Sequence, residues 1–130
     1  GAIDIELEGC LALYFRQCAI VADCRQLARA FGFLANGGVQ PASGQVVVTP
    51  DQARRINALM LTCGTYDAAG EFAFKVGLPC KSGVGGAIAA VAPGRLALCV
   101  WSPGLDETGN SVAGRLALER FVARANLSVF

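Results

Sequence analysis

Histidine is missing from this sequence of 130 residues. Imidazole is the general base of Ser-His-Asp and Cys-His mechanisms and the most common metal ligand in proteins. Neither mechanism can be completed within these residues, so acid–base chemistry would have to use lysine, tyrosine, aspartate or glutamate. No metal ion and no other cofactor is predicted.

Charged residues are also scarce, at 16% of the sequence, and the net charge is only +1. No basic stripe is present, so no nucleic-acid partner is predicted. The longest apolar stretches are interrupted by Arg16, Asp23, Lys81 or Arg95, and none is long enough to span a bilayer. The acidic start at residues 1–9 is unlike a secretion signal. We therefore expect no membrane association and a cytoplasmic location.

Apolar residues, in contrast, are abundant. They make up 54% of the sequence, and the mean hydropathy of +0.48 is high for an independent soluble domain of this size. The excess predicts that part of the apolar surface is covered by something outside these residues. Six cysteines lie in apolar patterns without the paired spacing of zinc ligands, which predicts buried free thiols in a reducing compartment. They are Cys10, Cys18, Cys24, Cys63, Cys80 and Cys99.

Three helices are predicted in the first half of the chain from apolar side chains at helical spacing. The second and third each begin with a capping-box pattern, in which a carboxylate or hydroxyl precedes a glutamine by three positions. The pairs are Asp23 with Gln26 and Thr49 with Gln52. The predicted helices cover residues 5–20, 24–35 and 50 to about 63.

The second half predicts a small antiparallel sheet followed by a helix. Two apolar stretches flank Pro93 and Gly94, a turn dipeptide, and predict a β-hairpin that is buried on both faces, with Trp101 in the core. Residues 66–77 fit either a short helix or a strand. Residues 111–125 form an amphipathic pattern that predicts a terminal helix, capped by Asn110-Ser111. The expected fold class is α+β, with helices followed by an antiparallel hairpin and a terminal helix.

The stretch LPCKSGVGGA, residues 78–87, carries a lysine, a hydroxyl and several glycines. A phosphate-binding loop would need glycine before the lysine, whereas Cys80 precedes Lys81. The simplest alternative is a glycine-rich turn that enters a hairpin. The stretch also resembles the Lys-Thr-Gly element of penicillin-binding proteins and class A β-lactamases, in which a cation and a hydroxyl orient a carboxylate and a nearby N–H stabilises an oxyanion.

Four stretches of the sequence, taken in order, indicate a protein family. They are LYFRQCAI at 13–20, LANGG at 34–38, CGTYDAAGEFAFKVGLPCKSGVGG at 63–86 and SPGLDETGNSVAG at 102–114. Together they resemble the C-terminal part of the serine-dependent glutaminases, and the resemblance covers nearly the whole chain. It implies a β-lactamase/DD-peptidase-like fold and hydrolysis of L-glutamine to L-glutamate and ammonia. Residues up to about 65 would end a helical subdomain, and residues from about 66 to 130 would supply sheet strands and the last helix.

The resemblance also implies site residues. Tyr14 would contact the bound amino acid through its hydroxyl, and Tyr66 would bind substrate and transfer a proton beside the nucleophile. The backbone N–H of Val84 would contribute to the oxyanion hole and so contact the substrate. Three further residues would line the same substrate pocket: Lys81, Ser82 and Gly83. Cys80, beside this pocket, is expected to make it sensitive to thiol reagents.

The nucleophile of the family lies in a Ser-x-x-Lys motif, in which the lysine assists deprotonation of the serine. No serine here has lysine three positions later, because the only lysines are Lys75 and Lys81. The serine is therefore expected in an upstream half of the domain, so this chain alone should be inactive. A homo-oligomer is also expected.

Two other interpretations stay open at this point. The chain could be a stand-alone, non-catalytic binding or interaction module that pairs through an exposed sheet edge. It could instead be an independent hydrolase that uses Lys81 and Ser82 as a local pair. Adjacent strand residues point to opposite faces of a sheet, which argues against the second interpretation.

Overall fold

The structure, a computed structural model, describes residues 6–130. The helices are α1 (Leu7–Cys18), α2 (Cys24–Ala35), α3 (Pro50–Cys63), α4 (Ala69–Lys75) and α5 (Val112–Ala125), and the strands are β1 (Cys80–Ser82), β2 (Ala87–Ala92) and β3 (Leu96–Trp101). A 3₁₀ turn, Tyr66–Ala68, precedes α4, so the ambiguous stretch is helical. The predicted α+β layout is confirmed.

Both predicted capping boxes are present. The Asp23 carboxylate accepts a 2.7 Å hydrogen bond from the backbone of Gln26, whose side chain accepts one of 2.8 Å in return. Thr49 and Gln52 form the same reciprocal pair at the start of α3, where Pro50 occupies the first helical position. Proline suits this position because its missing N–H would have no partner within the helix. These local bonds explain why both helix starts were predicted correctly.

Helix α1 lies where the first helix was predicted, although its predicted first residue, 5, and the acidic Asp4 before it lie outside the described residues. Every residue of α1 is exposed, including the apolar ones. The helical spacing therefore predicts the conformation correctly, but residues 6–130 do not cover the apolar face of α1. No helix in the described part of the chain combines the length and apolarity needed to cross a membrane.

The three strands form one antiparallel sheet in the order β1-β2-β3. Gly94, with φ +73°, completes the tight turn between β2 and β3, and the backbone N–H of Arg95 closes it on the carbonyl of Ala92 at 3.0 Å. The predicted hairpin is confirmed, but only β2 is buried almost throughout, whereas β3 is half-buried. The prediction for Trp101 was wrong: its side chain is 59% exposed, and its indole N–H donates to the carbonyl of Gly85.

Apolar clusters lie on both faces of the sheet, because alternate strand residues point to opposite sides. One face packs against α4 and α5, and its cluster includes Phe72, Leu78, Ile88, Leu118 and Val122. The other packs against α2 and α3, and its cluster includes Leu34, Ala53, Met60 and Val91. The sheet is thus the middle of three layers.

All six cysteines are free thiols, but the prediction that they are buried holds only for Cys80. Cys10 and Cys18 are exposed because α1 buries none of its residues, and Cys63 is exposed at the end of α3. The remaining two are half-buried.

Candidate active site

Lys81 and Ser82 lie next to each other on β1 and face opposite sides of the sheet. The Lys81 side chain is exposed, whereas Ser82 is only 3% exposed. The Lys81 ammonium donates a hydrogen bond to the carbonyl oxygen of Ser82, and the Ser82 hydroxyl has no hydrogen-bond partner among residues 6–130. The two side chains therefore do not form a nucleophile–base pair, which excludes the local Ser–Lys hydrolase.

Tyr66 lies beside Lys81, whose side chain is on the α2–α3 face of the sheet. The lysine Nζ is 4.9 Å from the centre of the tyrosine ring, within the range of a cation–π interaction. The backbone N–H of Ser82 donates a 3.1 Å hydrogen bond to the carbonyl of Gly64, which connects β1 to the end of α3. This connection brings Tyr66 and Lys81 together although they are separated in sequence.

Tyr66 has an unusual backbone conformation, with φ +56°. A positive φ is uncommon for any residue with a Cβ and needs support from its surroundings. The Tyr66 side chain is nevertheless 45% exposed, whereas Thr65 before it is 1% exposed. The surroundings thus fix the backbone while the phenol ring faces outward.

Val84 lies in the turn between β1 and β2. The turn is closed by two hydrogen bonds, from the N–H of Gly83 to the carbonyl of Ala87 at 3.0 Å and from the N–H of Gly86 to the carbonyl of Gly83 at 2.9 Å. The Val84 side chain is 72% exposed, and within the described residues its backbone N–H donates no hydrogen bond. This N–H is therefore available to an external acceptor.

Gly109 brings Tyr66 and Val84 into one patch. A methyl group placed on this glycine would lie 3.8 Å from Cγ1 of Val84 and 4.0 Å from Cε2 of Tyr66. We call Tyr66, Lys81, Val84 and Gly109 the Tyr66 patch. Three of its members were predicted as site residues, and the structure brings those three together.

Asp106 organises the loop that carries Gly109. Its Oδ1 accepts hydrogen bonds from the hydroxyl of Thr108 at 2.6 Å and from the backbone N–H groups of Thr108 and Asn110, both at 3.0 Å. The Thr108 hydroxyl, followed by the N–H of Asn110, holds the pKa of this carboxyl below its ordinary value. The side-chain amide of Asn110 donates a 3.1 Å hydrogen bond to the carbonyl of Thr65, next to Tyr66.

The connection from Asn110 to Thr65 was not predicted from the sequence. Asn110-Ser111 was interpreted only as a helix cap, and Ser111 does cap α5 by accepting the N–H of Gly114 at 3.1 Å. The signal for a structured turn was the spacing Asp-x-Thr-x-Asn at 106–110, because Asp side chains commonly accept hydrogen bonds from the next few residues.

The other predicted site residues lie elsewhere. Tyr14 is 59% exposed on α1. The neighbouring thiol of Cys18 raises the pKa of Tyr14 above its ordinary value. The Ser82 side chain points away from the patch, and Gly83 lies between Ser82 and Val84 with open space at the position that a Cβ would take. The roles of these residues stay predictions.

Solved structures of bacterial glutaminases closely match this fold. The covalent complex of the Bacillus subtilis glutaminase YbgJ with 5-oxo-L-norleucine superposes with a TM-score of 0.92 and 36% identity, over 98% of this chain and 46% of the other. A Bacillus glutaminase crystallised with 4.3 M NaCl superposes with a TM-score of 0.91 over 98% of this chain and 45% of the other. The chain therefore has part of the β-lactamase-like fold that these hydrolases share, as predicted.

Sequence comparison gives the same family over every residue. A family model described as Glutaminase matches residues 1–130. The glutaminase of Methylobacterium nodulans is 61% identical over all of this chain and 42% of its own length, and that of Sinorhizobium fredii is 58% identical over all of this chain and 41% of its own length. The chain belongs to the glutaminase family and spans less than half the length of these relatives.

Proposed function

We propose that this chain supplies one side of the active site of a glutaminase that hydrolyses L-glutamine to L-glutamate and ammonia. The proposed acyl-enzyme forms on a serine outside residues 1–130. The observation that carries the proposal is the likeness, over 98% of this chain, to a B. subtilis glutaminase that reacts covalently with 6-diazo-5-oxo-L-norleucine. That reagent keeps the amino-acid portion of glutamine and carries an electrophilic carbon in place of the amide nitrogen.

Tyr66 is proposed to transfer the proton between the nucleophile and the leaving ammonia. Two observations support this role: its ring is partly exposed, and the Lys81 ammonium lies 4.9 Å from the ring centre. A fixed positive charge stabilises negative charge that develops on the phenol oxygen or on the reacting carbonyl. Lys81 therefore contributes electrostatic stabilisation and holds the ring in place.

Val84 is proposed to donate its backbone N–H to the oxyanion that forms when the serine attacks the amide carbonyl. A donor for this purpose must be fixed before the reaction and must not be occupied by the protein itself. The turn around Val84 is closed by hydrogen bonds on both sides, and the Val84 N–H is not used within residues 6–130.

The remaining predicted residues complete the proposed pocket. Gly83 gives substrate access to the turn, since no atom lies within 4 Å of the position a Cβ would take. Tyr14 would bind the amino-acid portion of glutamine, and Ser82 would shape the strand beneath the pocket. These roles need the rest of the enzyme to close the site over α1 and the Tyr66 patch.

The same proposal describes how this chain would combine with the rest of the enzyme. Residues 1 to about 65 would end the helical subdomain, and about 66 to 130 would supply sheet strands and the last helix. An upstream half of the domain would cover apolar side chains such as Leu13 and Phe15, which are about 60% exposed on α1. The complete enzyme is proposed to act in the cytoplasm as a homo-oligomer.

Ammonia release from L-glutamine tests the proposed function. The assay compares the 130-residue chain alone with a chimeric enzyme in which these residues replace the matched region of the M. nodulans glutaminase. We expect no release from the chain alone and steady turnover by the chimera. Release by the chain alone would place a nucleophile within these residues. A folded chimera without activity would contradict the proposal, and L-asparagine serves as the comparison substrate.

A further inference from the structure

We propose that Asn110 is a positioning residue that holds Tyr66 in its working orientation. The expected effect of Asn110 on turnover rests on the proposed glutaminase function, whereas the effect of Asn110 on the placement of Tyr66 does not. The connection is the 3.1 Å hydrogen bond from the Asn110 side-chain amide to the carbonyl oxygen of Thr65. Asn110 is 0% exposed and Thr65 is 1% exposed, so water does not compete for this bond.

The position of this carbonyl matters because it belongs to the peptide group that joins Thr65 to Tyr66. The φ angle of Tyr66 is the rotation that follows this peptide, and its value of +56° is disfavoured for a residue with a Cβ. A disfavoured conformation persists only where neighbouring groups hold it. The Thr65 carbonyl lies in the plane of this peptide group. A hydrogen bond that holds the carbonyl therefore also orients the backbone from which the Tyr66 side chain projects.

The Asn110 side chain is itself held by a closed turn, residues 106–110, which we call the Asp106 turn. The Asp106 carboxylate accepts three hydrogen bonds within the turn, and the backbone N–H of Asp106 donates to the carbonyl of Asn110 at 2.8 Å. The Thr108 hydroxyl oxygen also accepts a 2.9 Å hydrogen bond from the Asn110 amide. Since Ser111, the next residue, caps α5, the turn is anchored to a packed helix.

A second contact from the same turn reaches the tyrosine ring. A Cβ placed on Gly109 would lie 4.0 Å from Cε2 of Tyr66 and 3.8 Å from Cγ1 of Val84, so the turn passes close to both side chains. The Asp106 turn thus bonds to the peptide group that precedes Tyr66 and passes close to the Tyr66 ring and to Val84. Loss of the Asn110 amide should therefore disturb the geometry of the site as well as stability.

Asn57 provides a matched control for this experiment. It is also buried, its side-chain amide donates a 3.1 Å hydrogen bond to the carbonyl of Leu34, and its Oδ1 likewise has no partner among the described residues. Its bond joins α3 to the end of α2 and has no connection to the Tyr66 patch. Asn57→Ala and Asn110→Ala therefore each remove one buried amide–carbonyl bond of the same length.

The experiment measures kcat and KM for L-glutamine in the chimera, at a temperature at which all variants are folded. We expect Asn110→Ala to lower kcat by about 10- to 100-fold with KM changed by less than about threefold, because misplacement of a reacting group by about 1 Å has effects of this size. Asn57→Ala should keep its kcat although it loses thermal stability. Thr108→Val loosens the turn more mildly and should lower kcat by a smaller factor, so the test survives if Asn110→Ala fails to fold.

A second readout does not depend on activity. The ring resonances of ¹³C-labelled tyrosine in the chimera report on Tyr66, which is assigned by the signal lost in Tyr66→Phe. Asn110→Ala or Thr108→Val should shift or broaden the Tyr66 signal, whereas Asn57→Ala should leave it in place. An unmoved signal would overturn the positioning role even if the chimera proved inactive. A moved signal with unchanged kcat would overturn the connection to turnover.

Discussion

The ammonium group of Lys81, which lies on the α2–α3 face of the sheet, is 4.9 Å from the centre of the Tyr66 ring. This contact joins the two most polar members of the Tyr66 patch, one from β1 and the other from the turn after α3. It depends on a backbone hydrogen bond between Ser82 and Gly64 and on the alternation of β1 residues. Tyr66, Lys81 and the connection at Gly64 can each be changed by a separate mutation.

Tyr66→Phe removes only the phenol hydroxyl. If Tyr66 transfers the proton, kcat of the chimera should fall by about 10²-fold or more, because general acid–base groups contribute on this scale. Thr62→Val is the control, since it removes a nearby hydroxyl that bonds only to carbonyl groups of its own helix. Steady-state ammonia release measures both variants, and equal losses for the two would contradict the assignment.

Lys81→Met should lower kcat/KM for L-glutamine by about three- to tenfold, because a cation–π contact at an exposed site contributes about 0.5–1 kcal/mol and the electrostatic effect on the reaction adds to it. Lys81→Arg should retain most of the activity. The only other lysine provides the control: Lys75 pairs with Glu71 on α4, and Lys75→Met should leave kcat/KM unchanged. A Lys81→Met enzyme with full activity would show that the ammonium group is dispensable.

Gly64→Ala should be strongly destabilising. A Cβ at this position would lie 1.9 Å from the carbonyl oxygen of Cys80, so the end of α3 and β1 would have to move apart. We expect a loss of about 3 kcal/mol, at the upper end of the range for changes that overpack a rigid interior. Gly70→Ala, on α4 with open space around it, should change stability by less than about 1 kcal/mol. Urea unfolding followed by circular dichroism compares the two variants.

The helix boundaries could be predicted because their signals are local. The carboxylate of Asp23 and the hydroxyl of Thr49 bond to groups only three residues away, so sequence spacing alone specifies them. The hairpin could be predicted for the same reason, since its turn residues and strands are adjacent in the chain.

Burial and long-range contacts were harder to predict from the sequence. Trp101 was expected in the core but is exposed, because apolar composition does not indicate which face of a strand is covered by the described elements. The bond between Asn110 and Thr65 spans 45 residues and leaves no short-range pattern. Three members of the Tyr66 patch, Tyr66, Lys81 and Val84, were named by family resemblance, whereas their mutual placement and the position of Gly109 required the fold.

Glu71 should make the protein less stable as the pH falls. Its carboxylate forms ion pairs with Lys75 at 2.7 Å and with Arg115 at 3.0 Å, which connects α4 to α5. The hydrogen bond from Lys75, followed by the charges of Lys75 and Arg115, holds the Glu71 pKa below its ordinary value of 4.5. Because folding favours the ionised form, this contribution is present above pH 4.5 and is lost as the pH falls through the lower pKa of the folded state.

Thermal unfolding of the chimera at a series of pH values tests this expectation. Glu71→Gln should unfold at a lower temperature than the unmodified protein at pH 7, and the difference should shrink as the pH falls below 4.5. Glu107→Gln, which alters an exposed carboxylate with no ion pair in residues 6–130, should show no such trend. A constant difference between Glu71→Gln and the parent across this range would contradict the role of the ion pairs.

Cys80 should be the least reactive of the cysteines that lie near the proposed pocket. Sensitivity to thiol reagents was expected from its position in the sequence, but its side chain is 1% exposed and faces the α4–α5 side of the sheet. Burial raises its pKa to about 12. Since the thiolate is the reactive form, only about one in ten thousand Cys80 side chains would be ionised at pH 8.

Alkylation of the native protein with iodoacetamide, followed by peptide mass spectrometry, measures this reactivity. We expect Cys63, which is exposed at the end of α3, to be modified at least about 100-fold faster than Cys80 at pH 8, because both access and ionisation favour it. Unfolding in urea should equalise the two rates, which confirms that the protection comes from the fold. Comparable rates in the native protein would mean that β1 opens readily and that Cys80 is accessible from the pocket after all.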